Sequence, residues 1–304
     1  MNPIIPRNLI KHLEWTPGQE MPQHPVPSIV IPTNAQFSID NILKGKSVYS
    51  EEKDSTNTYY IGVAVALREA LEHAGAKGIV ATMPELIAAK LKAERNHDFW
   101  KQWYTVHTEE NIGIDTKGRF YNKDEPVLVV VNGGGILTPE RIMKAYAEGL
   151  INHSAKYLNE EWENLLDGKL STGTKIPLYR LEEIKKGVPN LPHQFGVVMP
   201  YALAQGTASG YHKKGAFVGN PLVIARAGGS EHLEAYFDLV LQRYQEATNN
   251  TRDTVGNHHP FASRDASIPQ GRLLFLSNYY NGLNGIINLD SNGRFVGVAP
   301  EAHP

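Results

Sequence analysis

Pro126-Val127-Leu128-Val129-Val130-Val131-Asn132-Gly133-Gly134-Gly135-Ile136-Leu137-Thr138-Pro139-Glu140 is the stretch from which the fold is read. Its first six residues are an unbroken apolar run rich in β-branched valine, as a strand buried on both faces requires. Three glycines follow, and glycine permits the unusual φ of a tight strand-to-helix turn. Thr138 then offers a capping oxygen and Pro139 suits a first helical turn, so a helix is expected as far as Leu150. Such a turn gathers exposed N–H groups at a helix start, where an anion is favoured. Asn132, Gly133, Gly134, Gly135 and Thr138 are therefore candidate ligand contacts.

Outward from this stretch, the pattern keeps alternating. A helical spacing of Val63, Leu67 and Leu71 ends at Gly75, and a second helix starts at Thr82-Met83-Pro84-Glu85. Asn111–Phe120 reads as a hairpin closed by Asp115-Thr116-Lys117-Gly118. A helix is expected over about Ser154–Leu166. Phe195–Met199 and Pro221–Ala225 read as further apolar strands, the latter leading through Arg226-Ala227-Gly228-Gly229-Ser230-Glu231 into a helix that carries Leu233, Phe237, Val240 and Leu241. On that reading strand–glycine–helix occurs twice, at 126–150 and 221–245. Leu273–Ser277 is a last core strand, and Ile286–Leu289 with Arg294–Val298 a closing hairpin. The order implies an α/β fold: a layered, mostly parallel or mixed sheet flanked by helices, with β-hairpin additions at its edge. Seven prolines between Pro3 and Pro32 disfavour both helix and central strand. Residues 1–54 are thus expected as an extended arm and 55–304 as a single α/β domain.

Composition removes several classes of function. Thirty basic and thirty-two acidic residues give a net charge of −2, without the basic excess of a nucleic-acid binder. The absence of cysteine excludes disulfides, zinc–thiolate sites, iron–sulfur clusters and cysteine nucleophiles. No stretch approaches the roughly 20 apolar residues of a membrane span. The first residues lack a charged segment followed by an apolar run, so a soluble, cytoplasmic protein is expected. Gly133-x-Gly135-x-x-Thr138 lacks the third glycine of a dinucleotide fingerprint. Gly45-Lys46-Ser47 has Asp40 where a P-loop needs its leading glycine. No HExxH or EF-hand spacing points to a metal, and no cofactor is identified.

Three further segments carry chemistry. Arg226, Gly229 and Ser230, at the second glycine turn, suit bidentate binding of a phosphate or carboxylate. Gly206-Thr207-Ala208-Ser209-Gly210-Tyr211-His212-Lys213-Lys214-Gly215 interleaves hydroxyls and cations in a long loop; His212 is a candidate acid or base, and Ser209 and Lys213 are candidate ligand contacts. Asn257-His258-His259-Pro260-Phe261-Ala262-Ser263-Arg264-Asp265 adds His258 and Asp265 as candidate catalytic groups, with His259 and Arg264 as contacts. Tyr279-Tyr280-Asn281-Gly282 suits either stacking on a ring or a plain aromatic-capped loop. The sequence reading is an enzyme, a hydrolase or group transferase, acting on a small anionic or polar metabolite and forming a homo-oligomer. Its competitor is a non-catalytic subunit that packs through the proline-rich arm, and a binding module without turnover comes third.

Overall fold

The computed structural model describes residues 38–57, 60–259, 264–278, 282–284 and 288–300. The chain opens with α1 (Ile39–Leu43), β1 (Lys46–Ser50), α2 (Gly62–Ala74), β2 (Ile79–Val80), α3 (Met83–Lys92) and α4 (Asp98–Lys101). Two long strands, β3 (Tyr104–Asp115) and β4 (Glu125–Asn132), lead to α5 (Pro139–Glu148), β5 (Ala155–Lys156) and α6 (Asn159–Leu166). Next come β6 (Leu178–Arg180), α7 (Leu181–Lys186), β7 (Phe195–Pro200), α8 (Tyr201–Gln205) and β8 (Gly210–His212). The rest is α9 (Lys214–Val218), α10 (Pro221–Ala227), α11 (Leu233–Thr248), β9 (Val255–His258), β10 (Gln270–Leu276), β11 (Leu283–Asn284) and β12 (Gly293–Val298).

Among the described residues the strands make two sheets. The larger has the order β6-β7-β4-β3-β10-β11-β9-β8, with β5 joined to β10; the smaller is β1-β12-β2. The fold is mixed α/β. Its main sheet is mixed too, but β4 runs antiparallel to both β3 and β7, and the parallel pairs are β6–β7 and β11–β9. The apolar run at 126–131 signals burial on both faces, which an antiparallel strand shows equally when layers cover both sides. Leu128 and Val130 face one core cluster with Val106, Val197 and Leu274. Val127, Val129 and Val131 face the other, with Trp162, Leu165 and Phe295.

Two expected strands are placed differently. Pro221–Ala225 is the start of helix α10. Asn220 Oδ1 accepts from the backbone N–H groups of Leu222 (2.9 Å) and Val223 (3.2 Å), and Pro221 occupies the first turn. Leu222, Val223, Ile224 and Ala225 are all buried, so the run is apolar because the helix is enclosed. Strand–glycine–helix therefore occurs at 126–150 and does not recur at 221–245. The second difference is at the C-terminus. Gly293–Val298 is the central strand of the smaller sheet, antiparallel to β1 and β2, with Ser47 opposite Val296 and Val80 opposite Gly297. Residues 286–287 of the expected hairpin lie outside the described residues. Of the expected arm, residues 1–37 also lie outside them, while α1 and β1 are folded into the domain, with Ile42 and Val48 buried.

The turn after β3 is built by Asp115. Its buried carboxylate accepts from the backbone N–H groups of Lys117, Gly118, Arg119 and Phe120 and from the Arg119 guanidinium. The connection to β4 runs to residue 124, longer than the four-residue turn the sequence suggested.

Candidate functional site

The glycine turn does gather N–H donors, and the anion it receives is the chain's own. Glu109 on β3 accepts from the backbone N–H of Gly135 (2.8 Å), Ile136 (3.0 Å) and Leu137 (2.9 Å). Burial pushes the Glu109 carboxyl up to about 7, while the three N–H donors pull it down. Gly133 and Gly134 have positive φ, and a Cβ on Gly134 would stand 2.6 Å from the His107 ring. Asn132 accepts from the Thr108 hydroxyl at 2.9 Å, and Thr138 caps α5 by accepting from Arg141 N at 3.2 Å. Gly133 and Gly134 donate to the His107 carbonyl and Gly135 to Glu109, so the predicted contacts at this turn are bonded within the protein.

Arg226, expected to hold a ligand, is fully buried. Its Nε donates to Glu110 Oε1 at 2.6 Å, and its Nη1 donates to Asn257 Oδ1 at 2.6 Å and to the His258 carbonyl at 3.1 Å. Gly229 and exposed Ser230 follow the left-handed Gly228 that ends α10, and the Ser230 carbonyl accepts from Leu233 N.

Two of the sequence-predicted segments meet. Strand β8 pairs antiparallel with β9, placing Gly210 opposite Asn257 and His212 opposite Val255. The contact continues beyond the ladder. Backbone N–H of His259 donates to Ser209 Oγ at 3.2 Å, and His259 Nε2 donates to the Thr207 carbonyl at 2.6 Å. On the surface the Tyr211 and His258 rings stand edge to face, 5.4 Å apart. Burial lowers the basicity of both His258 and His259, and the charge of Arg226 lowers it further. His212 lines an open groove of 570 Å3, together with Thr207, Ala208, Gly215, Asn220 and Pro221. Lys213 is exposed and pairs with Asp253 at 3.3 Å.

The remaining candidates stand apart from this edge in their bonding. Arg264 donates to the Asn152 carbonyl at 3.1 Å, and exposed Asp265 accepts from Ser267 N at 2.8 Å. Residues 260–263 and 279–281 lie outside the described residues. Sequence reading passed over Glu109, Glu110 and Lys90. Paired acids inside a strand flanked by Val106 and Ile112 were a usable signal, because a buried carboxylate needs a partner. Lys90 sits within α3, fully buried; its Nζ donates to the Ser277 carbonyl and faces the Trp100 ring at 5.1 Å. Burial alone brings its amine down to about 7.

No family model matches the chain, and neither does any curated protein. The chain is similar to a solved C-type lectin fold. That structure is described as "Accommodation of massive sequence variation in Nanoarchaeota by the C-type lectin fold". The similarity covers 84% of this chain and 97% of that one, at 26% identity and a TM-score of 0.61. Among the described residues no helix is long and apolar enough to cross a membrane, and no cluster of three His, Asp or Glu side chains is placed to hold a metal ion.

Proposed function

We propose that the protein is a binding module without turnover, whose recognition surface is the sheet edge β11–β9–β8 with the preceding segment 206–209 laid against it. One observation carries this reading. The edge and the end of β10 beside it are held by side chains that bind main-chain carbonyls: Arg226 on His258, His259 on Thr207 and Lys90 on Ser277. A carbonyl is the same whatever residue carries it, so these three bonds do not depend on which side chains are displayed, while the Asn257 amide and the Ser209 hydroxyl add side-chain ties beside them. Tyr211, Lys213 and the His258 ring take no part in those bonds. The similar structure is described as one in which the fold accommodates massive sequence variation, and a main-chain-held edge is a physical basis for that tolerance here. The groups that would receive an external anion are meanwhile engaged, the N–H groups of the glycine turn by Glu109 and the Arg226 guanidinium by Glu110.

The test is a thermal-shift and direct-binding screen of oligosaccharides, peptides and small anionic metabolites, run on the protein and on a Tyr211→Ala/His258→Ala variant. A ligand bound and recovered unchanged, whose binding the double variant loses while its melting temperature holds, is the expected result. Binding indifferent to both rings would remove the surface. The hydrolase or transferase reading retains His212 in the groove wall, and turnover abolished by His212→Ala would establish it instead.

A further inference from the structure

His259 fastens segment 206–210 to the sheet edge, and it does so in one protonation state. The residue is 5% exposed. Its Nε2 faces a carbonyl oxygen, which only accepts, so Nε2 carries the proton and Nδ1 carries the lone pair in the neutral ring. Nδ1 is buried with no hydrogen-bond partner among the described residues. A second proton would therefore be placed on a shielded nitrogen with nothing to receive it.

The charges around the ring make that second proton costly. Arg226 from α10 and His212 from β8 face it with positive or potentially positive charge, and His258 precedes it on β9. The carboxylate that faces it is Glu110 of β3, whose Oε1 is already bonded to the Arg226 guanidinium. Burial is the largest influence and lowers the ring's basicity. The bond to Thr207 opposes it, Arg226 lowers basicity again, Glu110 opposes, and His212 lowers it. The net direction is down from the ordinary value of 6.5. A base depressed in the folded state stabilises that state above its unfolded pKa and stops doing so as pH falls through the folded value.

We propose that His259 is an acid-sensitive latch: in its neutral form the buried ring holds Thr207 at the end of β9, beside the bond from its backbone N–H to Ser209, and the cost of burying a second proton on that ring releases segment 206–210 and reshapes the edge. As a control on ligand binding the latch rests on the recognition-surface reading. Its opening needs no ligand to be seen.

Hydrogen exchange of the amides of residues 207–212, corrected for intrinsic rates, tests it at pH 7.5 and pH 5.0 on the full chain. Protection falls on the order of tenfold at the lower pH, because the released ring, at its ordinary value of 6.5, takes up the proton that the buried ring resists. In His259→Gln, whose amide can still donate to Thr207 but does not titrate, protection stays level across the range. An equal fall in both proteins, or no fall in the unaltered one, overturns the proposal. Should His259→Gln fail to fold, His212→Gln/His258→Gln decides: a retained pH response assigns it to His259, and a lost response overturns the latch. Since no ligand enters, failure here leaves the recognition surface standing, and failure of the ligand screen leaves the latch standing.

Discussion

At the scale of single residues, buried charge is the dominant theme, and Glu109 and Arg226 are its clearest instances. Glu109 binds a proton more tightly in the folded chain than in the unfolded one, because burial raises it to about 7 from 4.5. Its contribution to stability is present below pH 4.5 and lost as pH rises through 7, so the sign is opposite to that of His259. Glu109→Gln removes the titration. Measured by urea denaturation, the variant should gain on the unaltered protein by roughly 3 kcal/mol between pH 4.5 and pH 8; parallel curves would show that Glu109 stays ionised in its cradle. For Arg226 the relevant asymmetry is between breaking a buried pair and replacing it. Arg226→Met leaves Glu110 charged and unpaired at zero exposure, and should cost about 3–5 kcal/mol. Adding Glu110→Met should return most of that loss. A double variant no better than the single would mean that Asn257 and the His258 carbonyl, rather than Glu110, are what Arg226 serves.

At the scale of elements, the glycine turn after β4 sets the geometry of one end of the sheet. Gly134 and Gly149 both have positive φ, +89° and +93°, so alanine is strained at either. They differ in space: nothing stands near a Cβ at Gly149, whereas at Gly134 it would overlap the His107 ring. Gly134→Ala should therefore lose about 1–3 kcal/mol more than Gly149→Ala in chemical denaturation. Equal losses would mean that His107 moves aside freely. This turn was legible in the sequence, since apolar run, glycines, Thr138 and Pro139 all agree. Pro221–Ala225 was not, because a short apolar run with four buried residues looks alike in a strand or an enclosed helix. The deciding feature was Asn220, one residue outside the run, whose side chain starts the helix. Strand direction was hidden for a related reason: Val127–Val131 records burial on two faces and nothing about its neighbours' polarity. As to the candidate site, residue types near β8 and β9 could be read. Which polar groups the interior would use up could not, because Glu109 reaches Gly135 and Arg226 reaches Glu110 across 26 and 116 residues of chain.

At the scale of the whole molecule, the smaller sheet joins the two ends of the described chain and rests on α2. Strand β12 lies between β1 and β2, so the C-terminal strand depends on a segment near residue 46 for one of its two ladders. Gly62 and Gly293 show how closely helix and sheet approach: a Cβ on Gly62 would meet the Ser50 carbonyl at 2.3 Å, and one on Gly293 the Val63 Cα at 2.7 Å. An arm reaching to residue 54 would be dispensable for folding, whereas a strand inside a sheet is not. Two deletions separate these expectations. Extending a deletion from residue 37 to residue 50 removes the β1–β12 ladder and the buried side chains of Ile42 and Val48. Burial of two such side chains is worth about 3–6 kcal/mol, a large share of the roughly 5–15 kcal/mol that holds a domain folded. The longer deletion should therefore unfold at markedly lower urea concentration than the shorter, with new exchange along residues 293–298. If the two deletions unfold together, β1 is an accessory strand, and β12 is held by β2 and α2 alone.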